Sequence, residues 1–241
     1  MSTGPMRELS EETKKSLHAG KMMNMIEVQG KLISASSGKY GDSRIVVTVS
    51  THYGRSKESE LKYMRFLMPK ELSPAFRMGQ YVHVTGYARG GRYHDEATDR
   101  DRISQTFVAT SVEPAKSILE DGTGVPGRFY DQYCRAFFIG KFGGLEPSKP
   151  PFIRFRFLTN VPEQKKQSCE LFINDHERAR HMPVKDIKEG ETVAMWCRVF
   201  TPQKKFAFDD IILEDIQPVA PYLTAEEVQP EEETDIDSFL E

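Results

Sequence analysis

The stretch YVHVTGYARGGRYHDEATDRDRISQTFVATSV (residues 81–112) sets Tyr87, Arg89, Arg92 and Tyr93 close together in one strand-like run, before a charged turn and a second strand-like run. An exposed aromatic ring is a face on which a nucleobase can stack, worth about 1–3 kcal/mol per base and tolerant of base identity. A guanidinium beside it adds phosphate pairing and cation–π contact. Rings interleaved with arginines therefore suit a flat, negatively charged partner.

Side chains alternate across a strand, so parity separates core from surface. In 61–68, Met64, Phe66 and Met68 share one face, and Leu61, Tyr63, Arg65 and Leu67 the other. In 81–89, Val82, Val84 and Ala88 oppose His83, Thr85, Tyr87 and Arg89. With the aliphatic sets turned inward, Tyr63, Arg65, His83, Tyr87 and Arg89 point outward. Further along, Ile153, Phe155 and Phe157 oppose Arg154 and Arg156, while Val193, Met195, Cys197 and Val199 oppose Trp196, Arg198 and Phe200. Trp196, the one tryptophan of the chain, falls with arginines. The plainer reading of such faces is a solvated surface or packing against a neighbouring domain, and Trp196 taken alone reads best as a semi-buried packing residue.

Other chemistries find less support. GTGVPG (122–127) matches a Gly-x-Gly-x-x-Gly spacing but contains Pro126 and opens no helix, so the nucleotide-fingerprint reading fails on context. In HERARH (176–181) the histidines stand five apart, whereas one helix face needs four. Cys134, Cys169 and Cys197 are odd in number, form no Cys-x-x-Cys pair, and read as small buried hydrophobes. Asp209 and Asp210 in FDDIILED keep a metal-dependent nuclease in view as a distant alternative. The expectation is a non-enzymatic protein with no cofactor and no metal.

These side chains need short strands to carry them. Residues 24–113 and 128–220 each hold several runs rich in Val, Ile, Thr, Tyr and Phe, broken by Gly, Pro and Ser, which is the pattern of small all-β domains. Each half reads as three strands, an amphipathic insert, then two strands. The inserts are KELSPAFRM (70–78) before Gly79 and DHERARHMPVKDIK (175–188) before Gly190. That order fits a five-stranded Greek-key barrel of the OB type, plugged by a short helix. The fold expected is thus all-β, with two OB barrels in tandem. The divisions are a flexible or short helical arm (1–23), a first OB domain (24–116), a linker (117–127), a second OB-like domain (128–220) and an acidic disordered tail (221–241). A short helix near Glu11–Leu17 is expected to fray.

The 241 residues are 38% hydrophobic and 29% charged, ordinary for a globular protein. No apolar run is long enough to cross a bilayer, and Glu8, Glu11 and Glu12 stand where a signal peptide needs apolar residues. A cytoplasmic protein is expected. Residues 225–241 (AEEVQPEEETDIDSFLE) carry eight acidic side chains and no Lys or Arg. Taking those eight charges from the net −3 leaves residues 1–224 at +5. Such an acidic block reads as an interaction tail.

The first half resembles the bacterial and phage single-stranded DNA-binding proteins. MNMIEVQGKLISA (23–35) is similar to the opening strand of that family. LKYMRFLMPKELSPAFRMGQYVHVTGYARGGRYHD (61–95) is similar to its aromatic strand, helix, Gly turn and hairpin, and DRISQTFVATSVEPAK (101–116) to its last strand. The resemblance spans about residues 23–116. It implies stacking at Tyr63 and Tyr93 and phosphate pairing at Arg65, Arg89 and Arg92. It also implies that the acidic end, with Asp235, Ile236, Asp237, Phe239 and Leu240, recruits replication and repair proteins. The last residue is Glu241 where the family has Phe, and a second barrel-like half replaces the family's long linker.

The function expected is sequence-tolerant binding of single-stranded DNA in replication, recombination and repair. Its contacts would be Tyr63, Arg65, Tyr87, Arg89, Arg92, Tyr93, Arg154, Arg156, Trp196 and Arg198. Further copies of the chain are admitted as partners, in fewer subunits than a one-barrel tetramer needs. The alternatives are an OB-fold scaffold within a replication or transcription complex, or an RNA-binding protein.

Overall fold

The computed structural model describes residues 7–37, 43–51, 60–68, 77–115, 133–148, 153–162, 164–175, 183–202 and 209–222. The chain is mostly strand, with one α-helix among the described residues. The strands are β1 (Met23–Ser37), β2 (Ser43–Thr51), β3 (Glu60–Met68), β4 (Tyr81–Asp95), β5 (Arg100–Pro114), β6 (Tyr133–Glu146), β7 (Ile153–Val161), β8 (Gln164–Asp175), β9 (Thr192–Phe200) and β10 (Asp210–Pro218).

In the first half β1 pairs with β2 and β4, β2 with β3, β3 with β5 in parallel, and β5 with β4. The pairings form a closed ring. The second half repeats it: β6 pairs with β7 and β9, β7 with β8, β8 with β10 in parallel, and β10 with β9. The correspondence reaches single hydrogen bonds. Gly79 N donates to Leu32 O at 2.8 Å and Leu32 N to Gln80 O at 2.9 Å. In the second half Gly190 N donates to Phe142 O at 2.7 Å and Phe142 N to Glu191 O at 2.8 Å. Gly79 and Gly190 have φ of 87° and 86°, a left-handed turn that side chains resist. This is why each insert ends on glycine.

Of the two inserts, residues 70–76 and 176–182 lie outside the described residues. The second insert closes with a short 3-10 turn, Val184–Asp186, rather than an α-helix, and Val184 and Ile187 are buried in the core.

Parity holds for the core. Met64, Phe66, Val82, Val84, Ala88, Phe155, Phe157, Val193, Met195, Cys197 and Val199 are all buried. One hydrophobic cluster runs through both halves.

The halves are joined along β1, which pairs with β6 from Met23↔Ile139 to Gln29↔Tyr133. Buried carboxamides add clasps onto single backbone residues. Asn24 accepts from Ala88 N at 2.9 Å and donates to Ala88 O at 2.8 Å. Gln105 accepts from Phe172 N at 2.8 Å and donates to Phe172 O at 3.2 Å, bridging the halves. At Gly90 the hairpin of β4 and β5 approaches β8 so closely that a Cβ would sit 2.6 Å from Glu170 O.

From Arg7 onward the amino-terminal arm is packed on the second half. Ser10 caps the helix α1 (Glu11–His18) by accepting from Thr13 N at 3.2 Å. Leu9 and Leu17 are buried beside Ile139, Ala194 and Val219. Gln217 clasps Arg7, accepting from its N–H at 2.8 Å and donating to its carbonyl at 2.9 Å. Residues 223–241, with the expected tail contacts Asp235, Ile236, Asp237, Phe239 and Leu240, lie outside the described residues.

Candidate nucleic-acid interface

The hairpin of β4 and β5 turns over residues 96–99, as the charged segment implied. Along β4, Arg89 and Tyr93 share the outer face, opposite Thr106 and Arg102 of β5. Arg89 is exposed and Tyr93 is 49% exposed, a large ring left in water. Arg102, the cross-strand neighbour of Tyr93, pairs with Asp95 at 2.5 Å.

Tyr63 and Arg65 stand on the outer face of β3, Tyr63 half-buried and Arg65 exposed. Their backbone is held from the second half: Thr201 N donates to Tyr63 O at 2.7 Å, and Arg65 N to Thr201 Oγ1 at 2.9 Å. Below Phe66↔Phe107 and Leu67↔Val108, where β3 pairs with β5, Thr201 bonds to β3 and Asp209 to β5. Asp209 is 6% exposed and its Oδ2 accepts from Phe107 N at 3.1 Å. Burial pushes its carboxyl up to about 6, against the opposing pull of Thr201, the Phe107 N–H, Arg65 and Thr106. Arg65 and Thr106 thus flank one carboxyl, and Thr106 is the cross-strand neighbour of Arg89. Arg65 and Arg89 thus lie on either side of Thr106, and Tyr93 stands four residues beyond Arg89 on the same strand face.

Tyr87 is on the outward parity of β4 yet only 5% exposed. The face that parity assigns to solvent is covered here, where Tyr87 lines a hollow of about 470 Å³ with Met23, Met25, Thr110, Asn160 and Pro162. Parity reads a single strand and cannot register a neighbour brought in by β1–β6 pairing.

A second group forms where the hairpin meets the other half. Arg92 Nη2 lies 2.6 Å from Glu146 Oε1, and its guanidinium sits over the Phe172 ring at 5.2 Å. The Glu146 hydrogen bond raises the Arg92 pKa above its ordinary value. Arg156 Nε lies 3.0 Å from the same Glu146 oxygen, close enough for an ion pair but without hydrogen-bond alignment. Glu170 and Glu189 stand further out, 3.8 and 3.4 Å from Arg156. Arg154 Nε donates to Asn174 Oδ1 at 3.0 Å.

The third group is on the outer face of β9. Trp196 is half-buried, its ring 5.2 Å from that of Phe137 and 5.0 Å from the Arg7 guanidinium. Arg198 Nε lies 2.6 Å from Glu214 Oε1. Trp196, Phe137, Arg7 and Glu214 line a hollow of about 380 Å³ with Met25, Glu27 and Arg135.

The ten residues read as DNA contacts therefore fall into separate groups. Sequence could not show which arginines meet carboxylates: the partners of Arg92, Glu146 and Glu170, come from strands of the other half. Thr201, which holds the backbone of Tyr63 and Arg65, and Asp209, which bonds to β5, are also missed by strand periodicity, because they flank strands.

Burial raises the thiols of Cys134 and Cys169 to about 11, consistent with packing roles. Among the described residues no cluster of His, Cys, Asp and Glu could hold a metal ion, and no helix is long and apolar enough to cross a membrane.

No protein-family model matches the chain, and no curated protein matches it. Solved structures do. A deletion mutant of the single-stranded DNA binding protein from Thermus aquaticus aligns with a TM-score of 0.53 at 12% identity, over 88% of this chain and 100% of that one. The wild-type protein aligns with a TM-score of 0.52 at 12% identity, over 82% and 93%. At this identity the likeness is one of fold, and the chain is folded like the single-stranded DNA binding protein of Thermus aquaticus.

Proposed function

We propose that this chain is a non-enzymatic, sequence-tolerant single-stranded DNA-binding protein of the cytoplasm, acting in replication, recombination or repair. In this reading each ring is an OB-type barrel, the first spanning 24–116 and the second 128–220. A fold alone does not fix a function. The observation that carries the reading is Tyr93, half-exposed on the same strand face as Arg89, with Thr106 standing between Arg89 and Arg65. Bases stack on Tyr93 and Tyr63, while Arg65 and Arg89 draw the phosphates. Tyr87, Arg92, Arg154, Arg156, Trp196 and Arg198 are engaged within the protein and act in this reading as its supports unless released. The tail from Ala225 onward, with eight acidic side chains, competes for the basic face and carries the protein partners.

The test is a titration of tyrosine fluorescence with oligo-dT, against duplex DNA and oligo-U. Quenching by oligo-dT with little response to duplex supports stacking, and the affinity must fall with salt by a log–log slope of about 0.7 per phosphate neutralised. Arg65→Gln and Arg89→Gln each lower that slope. Deletion of 225–241 tightens binding at low salt. Silence toward oligo-dT at low salt, with capture of replication or transcription proteins, favours the scaffold reading.

A further inference from the structure

We propose that Arg92 and Arg156 form a second phosphate site for the DNA strand, which Glu146 occupies in the unbound protein and vacates on binding. This rests on the DNA-binding reading above and adds a gate to it.

One oxygen, Glu146 Oε1, serves two guanidinium groups from different halves, at 2.6 Å from Arg92 and 3.0 Å from Arg156. A bridging anionic oxygen between two arginines is the arrangement a phosphate takes. The hold on Arg156 is imperfect, because its Nε–H does not align on that oxygen. Both side chains remain partly open to solvent, 43% and 34% exposed, although Arg156 Nε itself is buried. Arg92 precedes Tyr93 on β4 and faces the other side of the hairpin, so a strand stacked on that ring reaches the site by crossing the hairpin's edge.

Charge explains why the site is closed rather than vacant. Glu170 and Glu189 join Glu146 around the two arginines, so a phosphate cannot be added to the cluster without repulsion. Exchange of one carboxylate for one phosphate leaves the local charge unchanged. Glu146 is the last residue of β6, and the displaced carboxylate would move toward its cross-strand neighbour Arg154, whose Nε stays bonded to Asn174. The stacking of Arg92 on Phe172 keeps that guanidinium in place during the exchange.

The experiment compares wild type, Glu146→Gln, Arg92→Gln/Arg156→Gln, and the triple variant, in oligo-dT titrations across a salt series. Glu146→Gln is expected to bind roughly five- to tenfold tighter at low salt, with a slope steeper by about 0.7 per phosphate gained. In the double-arginine background the same substitution should change neither quantity. An equal gain in both backgrounds would mean a general charge effect and would overturn the gate, as would unchanged or weaker binding by Glu146→Gln. Absence of wild-type binding to oligo-dT is the separate result that removes the DNA reading, and the gate with it. Should Glu146→Gln not fold, the wild-type protein decides: the Nε–H resonances of Arg92 and Arg156 must shift on adding oligo-dT, and signals that stay fixed while DNA binds elsewhere overturn the proposal.

Discussion

Gln105 and Asp209 occupy corresponding places in the two repeats and are bonded to each other: Asp209 N donates to Gln105 O at 3.0 Å, and Gln105 Nε2 donates to Asp209 O at 2.7 Å. The correspondence follows from strand register, since Ala88↔Phe107 in one ring matches Val199↔Ile211 in the other. Gln105→Leu keeps most of the volume but strands the Phe172 N–H, buried with Gln105 in the seam. A cost of about 2–4 kcal/mol is expected, read as a lower urea midpoint.

Asp209 makes the protein's stability depend on acidity. Its carboxyl titrates at about 6 in the fold, against an ordinary aspartate value of 3.8. Between those values the folded chain holds a proton that the unfolded chain has released, so this group's contribution falls as pH rises through that window and is level above it. The fall is on the order of 3 kcal/mol. Asp209→Asn removes the titration. The stability difference between variant and wild type should therefore move in the variant's favour from pH 4 to pH 7, measured by urea unfolding. A difference independent of pH would show that Asp209 titrates normally.

Two tyrosines six residues apart on one strand should fail in different ways. Tyr93→Ala removes an exposed ring, and should weaken oligo-dT binding by about 1–3 kcal/mol with little change in melting temperature. Tyr87→Ala empties a buried position, and should lower unfolding stability by about 3 kcal/mol.

Trp196 reports on the amino-terminal arm. Because it is the one tryptophan and lies under Arg7 beside Phe137, loosening the arm should wet its ring. Leu17→Ala is expected to cost about 2–4 kcal/mol of arm docking and to shift the emission to the red. An unshifted spectrum would mean that the arm does not shield Trp196.

Much of this architecture is legible from residue order. Alternation of Met64 and Phe66 against Tyr63 and Arg65, and of Val193 and Met195 against Trp196 and Arg198, assigns the core correctly because each strand is half-buried in its own ring. The inserts closing on Gly79 and Gly190 mark the repeat. The contact between the rings is not legible in the same way. Tyr87 is buried and Arg92 paired through groups more than fifty residues away, and no local period carries that information. The arm misleads for a related reason: Leu9 and Leu17 look isolated in sequence, but α1 and the extended turn before it bring both onto the second half.

The pairing of Met23–Gln29 with Tyr133–Ile139 bears on any attempt to study the first half by itself. Cut free near residue 116, such a fragment would keep its own ring but bare a row of backbone donors and acceptors that normally face β6. Bared strand margins recruit whatever strand is at hand, and the nearest would be the same margin of an identical fragment. A truncated half is therefore expected to sediment as a pair, and its DNA affinity would be that of a makeshift dimer.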